Sequence, residues 1–338
     1  MENRLEDYKG VWTLGEMREG DIHSVSYELL AWGKDLADKL GVELVSIIIG
    51  HDVKDKVDEL ISMGADKVYV IDNPALENFR ADPYSKILTS LIEEYKPEIF
   101  IASATTIGRT LMPICAVKLQ AGLTADCTDL DIDTNERLLI QTRPAIGGNI
   151  MATIKTPTAR PQMSTVRPKS KRPLPIDELR KGKIIIKKFE GEYLASRVKR
   201  VNFFKEETVG APIQDADTII SCGKGLKDGK NLSIINELAE LLGGSVGASR
   251  KAVDLGWISY SHQIGLSGKT VSPNLYIACG ISGAVQHLAG MSSADTVIAI
   301  NSDPEAEIFR VADFGVVGNV FEVIPLFIQK LKEKSKER

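Results

Sequence analysis

The sequence predicts an α/β protein of two domains, an N-terminal αβ domain over residues 1–205 and a doubly wound parallel sheet over 206–338. Three observations carry that reading. The chain has 338 residues, and domains of roughly 100–200 residues are typical. Apolar runs of strand type alternate with stretches of helical spacing through the first part, the pattern of a parallel sheet covered on both faces. Glycine use then shifts: 15 of the 28 glycines fall in the last 133 residues, where they interrupt strand ends.

Within the first domain, residues 10–14 and 42–49 are apolar runs of strand type. Between them, residues 24–40 predict a helix, with Leu29, Leu30, Trp32, Leu36 and Leu40 at helical spacing. Residues 52–63 read as a second helix and 67–71 as a third strand. Helices at 85–95 and 109–119 flank a strand at 98–102. After Gly122 come β segments at 126–133, 138–143 and 149–155, with an Asp133-Thr134-Asn135 turn, which predict an antiparallel extension of the sheet. Residues 167–183 are basic and proline-bearing, with a short helix at 176–180, and a strand comes next at 183–189.

In the second domain a strand at 217–222 enters the turn Gly223-Lys224-Gly225. An amphipathic helix at 232–242 stops at Gly243-Gly244. A strand at 245–249 and a helix near Ala252 come after it. Residues 275–301 read as strand, glycine turn, short helix and strand; a helix at 320–334 closes the chain, and residues 333–338 fray.

Composition narrows the function classes. Hydrophobic content of 43% and charge of 26% are ordinary for a soluble globular protein. No apolar run approaches the roughly 20 residues that span a bilayer, so no membrane insertion is expected. The opening MENRLEDYKG is neither a secretory signal nor an Arg-rich transit peptide, and the cytoplasm of a prokaryote is the expected location. Cys115, Cys127, Cys222 and Cys279 lack CxxC spacing, which excludes clustered-thiolate zinc and iron–sulfur sites and leaves buried, reduced thiols. His23, His51, His262 and His287 form no metal pattern, so no metal is expected.

Charge is uneven. Residues 155–200 hold 14 Lys and Arg against four Asp and Glu, a local +10 that leaves −14 for the remainder. A basic stretch can mark a nucleic-acid face. This one lacks interleaved aromatics and carries prolines 157, 161, 168, 173 and 175, which favours a solvated connecting surface or a face for an acidic partner subunit.

Four clusters in the second domain fall at strand ends or turns. Gly223-Lys224-Gly225 lets a backbone approach a ligand and adds a phosphate-seeking cation. Gly247-Ala248-Ser249-Arg250 sets a fixed cation just after a strand. His262-Gln263-Ile264-Gly265-Leu266-Ser267-Gly268 is a glycine-broken stretch ending in a hydroxyl. The fourth is LYIACGISGAVQHLAGMSSADTVIAIN, from Leu275 to Asn301, with Ser282, Gln286 and His287 near its helix. Singly these read as a β-turn, a surface arginine, a loop and a structural histidine. Together they point to a nucleotide or dinucleotide cofactor along a parallel-sheet edge. There is no GxGxxG after a strand, no GxSxG elbow and no Walker A run.

The segment from Leu275 to Asn301 resembles the signature of the alpha subunit of electron transfer flavoproteins: Leu-Tyr-aliphatic-Ala, Gly-Ile-Ser-Gly, Gln-His-x-x-Gly and a closing Ala-Ile-Asn, each at the family's spacing. The other three clusters match that pattern, as does the run from Asn301 to Phe309. The match covers about residues 217–320, and the first domain is similar in length and αβ plan.

The resemblance implies one FAD held in extended form by the C-terminal domain. It implies a beta subunit paired with the N-terminal domain and carrying a second nucleotide, AMP in simple carriers or a second FAD in electron-bifurcating ones. By position, Lys224, Ser249, Ile264, Gly265, Leu266, Ser267, Ser282, Gly283, Ala284, Val285, Gln286, His287, Asn301, Asn319 and Val320 line the FAD, with Arg250 and Gln263 beside it. In this scheme Arg250, Ser267 and His287 tune the flavin ring, and no acid–base catalyst is expected. Ser282 and the N–H groups after Gly283 hold the pyrophosphate, and Asn301 and Asn319 meet the adenosine end.

There are departures. Lys224 stands where many members carry Arg, and Asn319 where some carry Asp. Leu266-Ser267 replaces the Gln-Thr of the simple mitochondrial type and resembles the anaerobic, bifurcating members. The implied function is electron transfer to or from an acyl-CoA dehydrogenase-type flavoenzyme, linked to NADH and ferredoxin by bifurcation, with the second domain mobile on the first. A simple non-bifurcating carrier is the alternative. A nucleotide- or nucleic-acid-binding regulatory module, suggested by the basic stretch, is the rival from another class.

Overall fold

The computed structural model describes residues 5–145, 150–202 and 211–336. Apart from residues 146–150, the chain divides between 203 and 204 into two compact units. The domain boundary expected at 205/206 lies outside the described residues, as does the start of the strand expected at 149–155.

The first unit runs β1 (Val11–Gly15), β2 (Met17–Arg18), β3 (Asp21–Ile22), α1 (Val25–Leu40), β4 (Leu44–Gly50), α2 (Asp58–Ser62), β5 (Lys67–Asp72), α3 (Ala81–Tyr95), β6 (Ile99–Ser103), α4 (Thr106–Leu119), β7 (Leu123–Cys127), β8 (Asp129–Asp133), β9 (Leu138–Pro144), β10 (Met151–Ile154), β11 (Gln162–Val166) and β12 (Lys183–Ile186). A seven-stranded parallel sheet has the order β12-β5-β4-β1-β6-β11-β7. The antiparallel extension is a separate sheet, β10-β9-β8. β7 belongs to the parallel sheet, not to that extension.

Burial explains the helices. α1 buries Leu29, Leu30, Leu36 and Leu40 on one face of the sheet and ends at Gly41, whose left-handed backbone lets its N–H reach the Asp38 carbonyl. α3 and α4 cover the other face with Ile87, Leu88, Leu91, Leu111 and Met112. Each large side chain so removed from water contributes about 1.5–3 kcal/mol. α4 starts a turn earlier than the periodicity predicts because Thr105 caps it, its hydroxyl accepting the Gly108 N–H at 3.1 Å.

One predicted helix is shortened and one is absent. Asp52, with φ of 54° and its N–H on the Asp72 carboxylate, belongs to the loop after β4. That loop leads into a 3-10 turn, Lys54–Lys56, and then into the five-residue α2. At 176–180 the Asp177 carboxylate accepts the Leu179 N–H at 3.1 Å, a local turn that competes with helix, and Leu179 has no apolar face to bury.

β11 was not foreseen. Its sequence, QMSTV, reads as polar, yet all five residues are buried in the sheet. Gln162 accepts the Leu139 N–H at 2.7 Å and donates to the Arg137 carbonyl at 3.2 Å; the Thr165 hydroxyl accepts the Asp126 N–H at 2.9 Å. Buried polar groups with partners are tolerated where orphaned ones are not.

Five of the 14 basic residues of the stretch are engaged in ion pairs inside its own unit. Lys155 meets Asp133 and Glu136, Arg167 meets Asp126, Lys171 meets Asp35, Arg180 meets Asp66, and Lys187 meets Glu94. Charges so engaged are poorly placed to track a phosphate backbone.

The second unit comprises β13 (Thr218–Cys222), α5 (Leu232–Leu241), β14 (Ser245–Ala248), α6 (Arg250–Asp254), β15 (Leu275–Cys279), α7 (Val285–Leu288), β16 (Thr296–Asn301), β17 (Phe314–Val317) and α8 (Val320–Lys336). Its parallel sheet has the order β14-β13-β15-β16-β17. One face packs Ile220, Ile235, Leu238, Ile277, Ile324 and Ile328 under α5 and α8; the other packs Ile219, Ile264, Tyr276, Met291, Val297 and Ile308. β17 went unpredicted because it is a four-residue edge strand with every residue exposed. α8 continues to Lys336, past the point where fraying was expected. All four cysteines are free and buried, and burial pushes the thiols of Cys115 and Cys222 up to about 12. No helix among the described residues is long and apolar enough to cross a membrane.

Candidate cofactor-binding site

The four clusters of the second unit converge on one edge, the carboxyl ends of its strands. β13 sends its chain to β14 on one side and lies against β15 on the other, so a topological switch falls between β13 and β15, where open sheets bind ligands. The floor of that crevice is backbone on backbone: the Gly223 N–H donates to the Cys279 carbonyl and the Gly225 N–H to the Gly280 carbonyl, each at 3.0 Å.

One wall is the loop 263–268. The Ile264 N–H donates to the Ala248 carbonyl at 2.9 Å and the Leu266 N–H to the Gln286 carbonyl at 2.8 Å. Gly265 is obligatory: its φ is +141°, and a Cβ there would stand 2.8 Å from the Gln286 carbonyl. Gln263 is buried and donates from Nε2 to the Ser267 hydroxyl at 3.0 Å, which leaves Ser267 its own proton to give. Leu266 and Ser267 are exposed; Ile264 is core, 1% exposed.

The other wall is the turn after β15. Among the described residues, the backbone N–H groups of Ser282, Gly283, Ala284, Val285 and Gln286 have no hydrogen-bond acceptor. Gly283, at φ +87°, lies so close to β16's outgoing loop that a Cβ would meet the Ile308 nitrogen at 2.3 Å. Lys224 is exposed and makes no ion pair among the described residues, and the Ser249 hydroxyl makes no capping bond. A run of unspent N–H donors beside such an ammonium suits an anionic diphosphate, so the residues present fit a dinucleotide cofactor. Arg250 is exposed, with Nε 3.6 Å from the Asp254 carboxylate, a contact of little strength at that exposure.

The structure turns three predicted contacts inward. His287 is 6% exposed, with Nε2 2.9 Å from the Tyr276 hydroxyl and Nδ1 3.1 Å from the Ile264 carbonyl. Both ring nitrogens are occupied by protein, so the imidazole has neither proton nor lone pair left for direct contact with a flavin. Burial pushes its pKa down to about 4 and keeps it neutral. Asn301 donates from Nδ2 to the Ile281 carbonyl at 2.9 Å and accepts the Asp303 N–H at 3.0 Å, bracing two loops. Asn319 caps α8, its Oδ1 accepting the Phe321 N–H at 3.1 Å, and Val320 is core. Val285 and Gln286 face solvent with Ser282 and Ala284.

Sequence reasoning missed Tyr276, which reads as any apolar strand residue, and Tyr260, whose hydroxyl donates to the Ser267 carbonyl at 2.7 Å. It also missed that His51, Asp52 and Asp72 bring their donor atoms within 4.8 Å of one another in the first unit. Exposed acids commonly gather in this way without an ion.

Residues 11–190, more than half of the chain, match the electron transfer flavoprotein domain, and residues 212–292 match the electron transfer flavoprotein FAD-binding domain. The chain is 51% identical to the electron transfer flavoprotein subunit alpha of Thermoanaerobacterium thermosaccharolyticum, over 97% of this chain and 99% of that protein. It is 39% identical to the acryloyl-CoA reductase electron transfer subunit beta of Anaerotignum propionicum, over 97% of each. Against the lactate dehydrogenase (NAD(+),ferredoxin) subunit LctC of Acetobacterium woodii it is 42% identical, over 94% of this chain and 76% of the other. The dinucleotide that fits the open edge of the second sheet is FAD. Fold, site and full-length similarity agree, and the chain belongs to the electron transfer flavoprotein alpha-subunit family.

Proposed function

We propose that the chain is the FAD-carrying alpha subunit of a heterodimeric electron transfer flavoprotein, working with a beta subunit in an NADH- and ferredoxin-linked bifurcating system in the cytoplasm. Its electron partner is an acyl-CoA dehydrogenase-type flavoenzyme. The observation that carries the reading is likeness along nearly the whole chain to subunits whose names tie one to an acryloyl-CoA reductase and another to NAD(+) and ferredoxin. Residues 1–205 pair with the beta subunit and residues 206–338 hold the cofactor.

Bound FAD supplies exchange of one or two electrons. The chain's own residues bind and orient it. Lys224 and the N–H groups of Ser282 to Gln286 take the diphosphate. Arg250 adds a fixed positive charge that favours negative charge at the ring. Ser267, kept a donor by Gln263, offers its proton to the ring's edge. Ser249, Leu266, Gly283, Ala284 and Val285 shape the slot, and Asn301, Asn319 and Val320 hold its far end. Electron transfer of this kind asks no nucleophile or general base of these groups.

Co-expression with the gene's neighbour, purification and nucleotide analysis test the reading. Two FAD and no AMP per heterodimer, with ferredoxin reduced by NADH in the presence of the cognate dehydrogenase, is the expected result. One FAD with one AMP would make it a simple carrier. A flavin-free complex would sink the proposal.

A further inference from the structure

Tyr276 lies on β15 with no solvent exposure, and its hydroxyl is 2.9 Å from His287 Nε2. The opposite ring nitrogen, Nδ1, is 3.1 Å from the Ile264 carbonyl. A carbonyl oxygen only accepts, so Nδ1 carries the proton. The imidazole is neutral, because burial holds its pKa down to about 4. Nε2 therefore keeps a lone pair and accepts the phenol's proton. Burial pushes the Tyr276 ionisation well up, so the phenol remains a donor at any working pH. Donation runs one way, from β15 through α7 to the loop 263–268.

We propose that Tyr276 is a positioning residue of the cofactor site: its hydroxyl fixes His287 as the Nδ1–H tautomer, and that tautomer clamps the Ile264 carbonyl and with it the loop presenting Leu266 and Ser267. The loop needs such a clamp. Leu266 and Ser267 are exposed and held from the Ser267 side by Gln263 and Tyr260; on the Ile264 side, His287 aside, the segment has only backbone bonds to Ala248, Gln286 and its own turn. A histidine with both nitrogens engaged acts on a ligand through what it holds, and the tautomer decides what it holds. For its consequence on flavin the inference rests on the electron-carrier reading; for the tautomer it rests on the hydrogen bonds alone.

The test is Tyr276→Phe, which removes one oxygen and leaves the packing. The chain has four histidines, few enough for histidine-selective nitrogen-15 NMR on the full-length protein without flavin. In the unsubstituted protein the His287 signal is that of an Nδ1–H, Nε2-accepting imidazole at pH 7. In Tyr276→Phe the Nε2 resonance loses its hydrogen-bond shift. FAD then dissociates about tenfold more readily, the loss expected when one buried acceptor is orphaned, and the visible circular dichroism of the flavin changes. An Nε2–H or doubly protonated His287 in the unsubstituted protein overturns the clamp. So does a Tyr276→Phe protein with unaltered FAD affinity and flavin spectrum. An unsubstituted protein that takes up no FAD overturns the functional reading, and the nitrogen spectrum still decides the tautomer.

Discussion

The strand ends beside β1 in the first sheet and beside β15 in the second are finished differently. At the end of β1, the first edge spends the polar groups of Glu16, Ser26 and Thr105 on one another. The Glu16 N–H donates to the Ser26 hydroxyl at 2.9 Å, its carbonyl accepts the His23 N–H at 2.8 Å, and its carboxyl accepts the Thr105 hydroxyl at 2.7 Å. Nearby, Asp126 takes the Arg167 guanidinium at 2.7 and 3.2 Å and Arg109 at 3.4 Å. Among the described residues, the second edge leaves five successive N–H groups, Lys224 and the Ser249 hydroxyl unspent. Both topologies open a crevice beside their first strand. Whether that crevice takes a ligand depends on which donors the protein has already satisfied.

The strongest way to break this contrast is to fill the open edge with protein. Gly283→Val puts a branched side chain where a Cβ already meets the Ile308 nitrogen at 2.3 Å, at a φ of +87°. The expected cost is about 3 kcal/mol of stability in the second unit and FAD affinity weakened more than about 100-fold, read by flavin absorbance after gel filtration. The matching change at the closed edge, Asp126→Ala, strips the buried Arg167 of its bidentate carboxylate. It should cost about 2–4 kcal/mol in urea unfolding and leave the flavin content intact. Flavin lost from Asp126→Ala, or retained by Gly283→Val, would break the comparison.

A subtler probe of the closed edge is its titration. Burial raises the Glu16 pKa from 4.5 to about 7, against the lowering pull of Thr105 and Arg18. A raised pKa means the folded protein binds this proton more tightly than the unfolded chain does. The group's contribution is therefore fully present below pH 4.5, declines between 4.5 and about 7, and is flat above. The full swing is about 3 kcal/mol. Glu16→Gln keeps an acceptor for Thr105 and should remove this part of the slope, making the variant more stable than the parent at pH 8 and little different at pH 4.5. Unfolding curves at the two pH values decide it; parallel losses in both would show that Glu16 does not titrate alone.

Legibility in the sequence divides along the same line. At the open edge the glycine-broken turns were legible, because a tight backbone approach needs glycine, so the turns at Gly265 and Gly283 could be placed without coordinates; the cofactor roles of Ser267 and Ser282 came from the resemblance alone. The closed edge was silent. Glu16, Thr105 and Asp126 stand at ordinary strand and helix ends, and only the fold brings their side chains together. β11 was missed for the same reason, since QMSTV becomes a buried strand only when Arg137, Leu139, Thr124 and Asp126 supply partners from elsewhere. The direction of the His287 ring was equally unreadable. It is set by Tyr276, 11 residues away on a neighbouring strand.

The smallest effect sharpens the comparison at a single side chain. Lys224 is exposed at the open edge, with no ion pair among the described residues, so its ammonium meets a ligand as a point charge in a well-solvated setting. Lys224→Ala should weaken FAD about fivefold, roughly 1 kcal/mol, and leave the unfolding midpoint within about 0.5 kcal/mol of the parent. Lys224→Arg should tighten FAD about twofold, because a guanidinium can hold two phosphate oxygens at once. The paired result is what matters. If both substitutions change FAD affinity by the same factor in the same direction, side-chain bulk at the turn is the operative quantity, not charge on the phosphate. If the alanine effect fades at high salt while the effect of Gly283→Val does not, then the open edge works in two separable parts: a screened cation at its rim and an unscreened run of backbone donors at its centre.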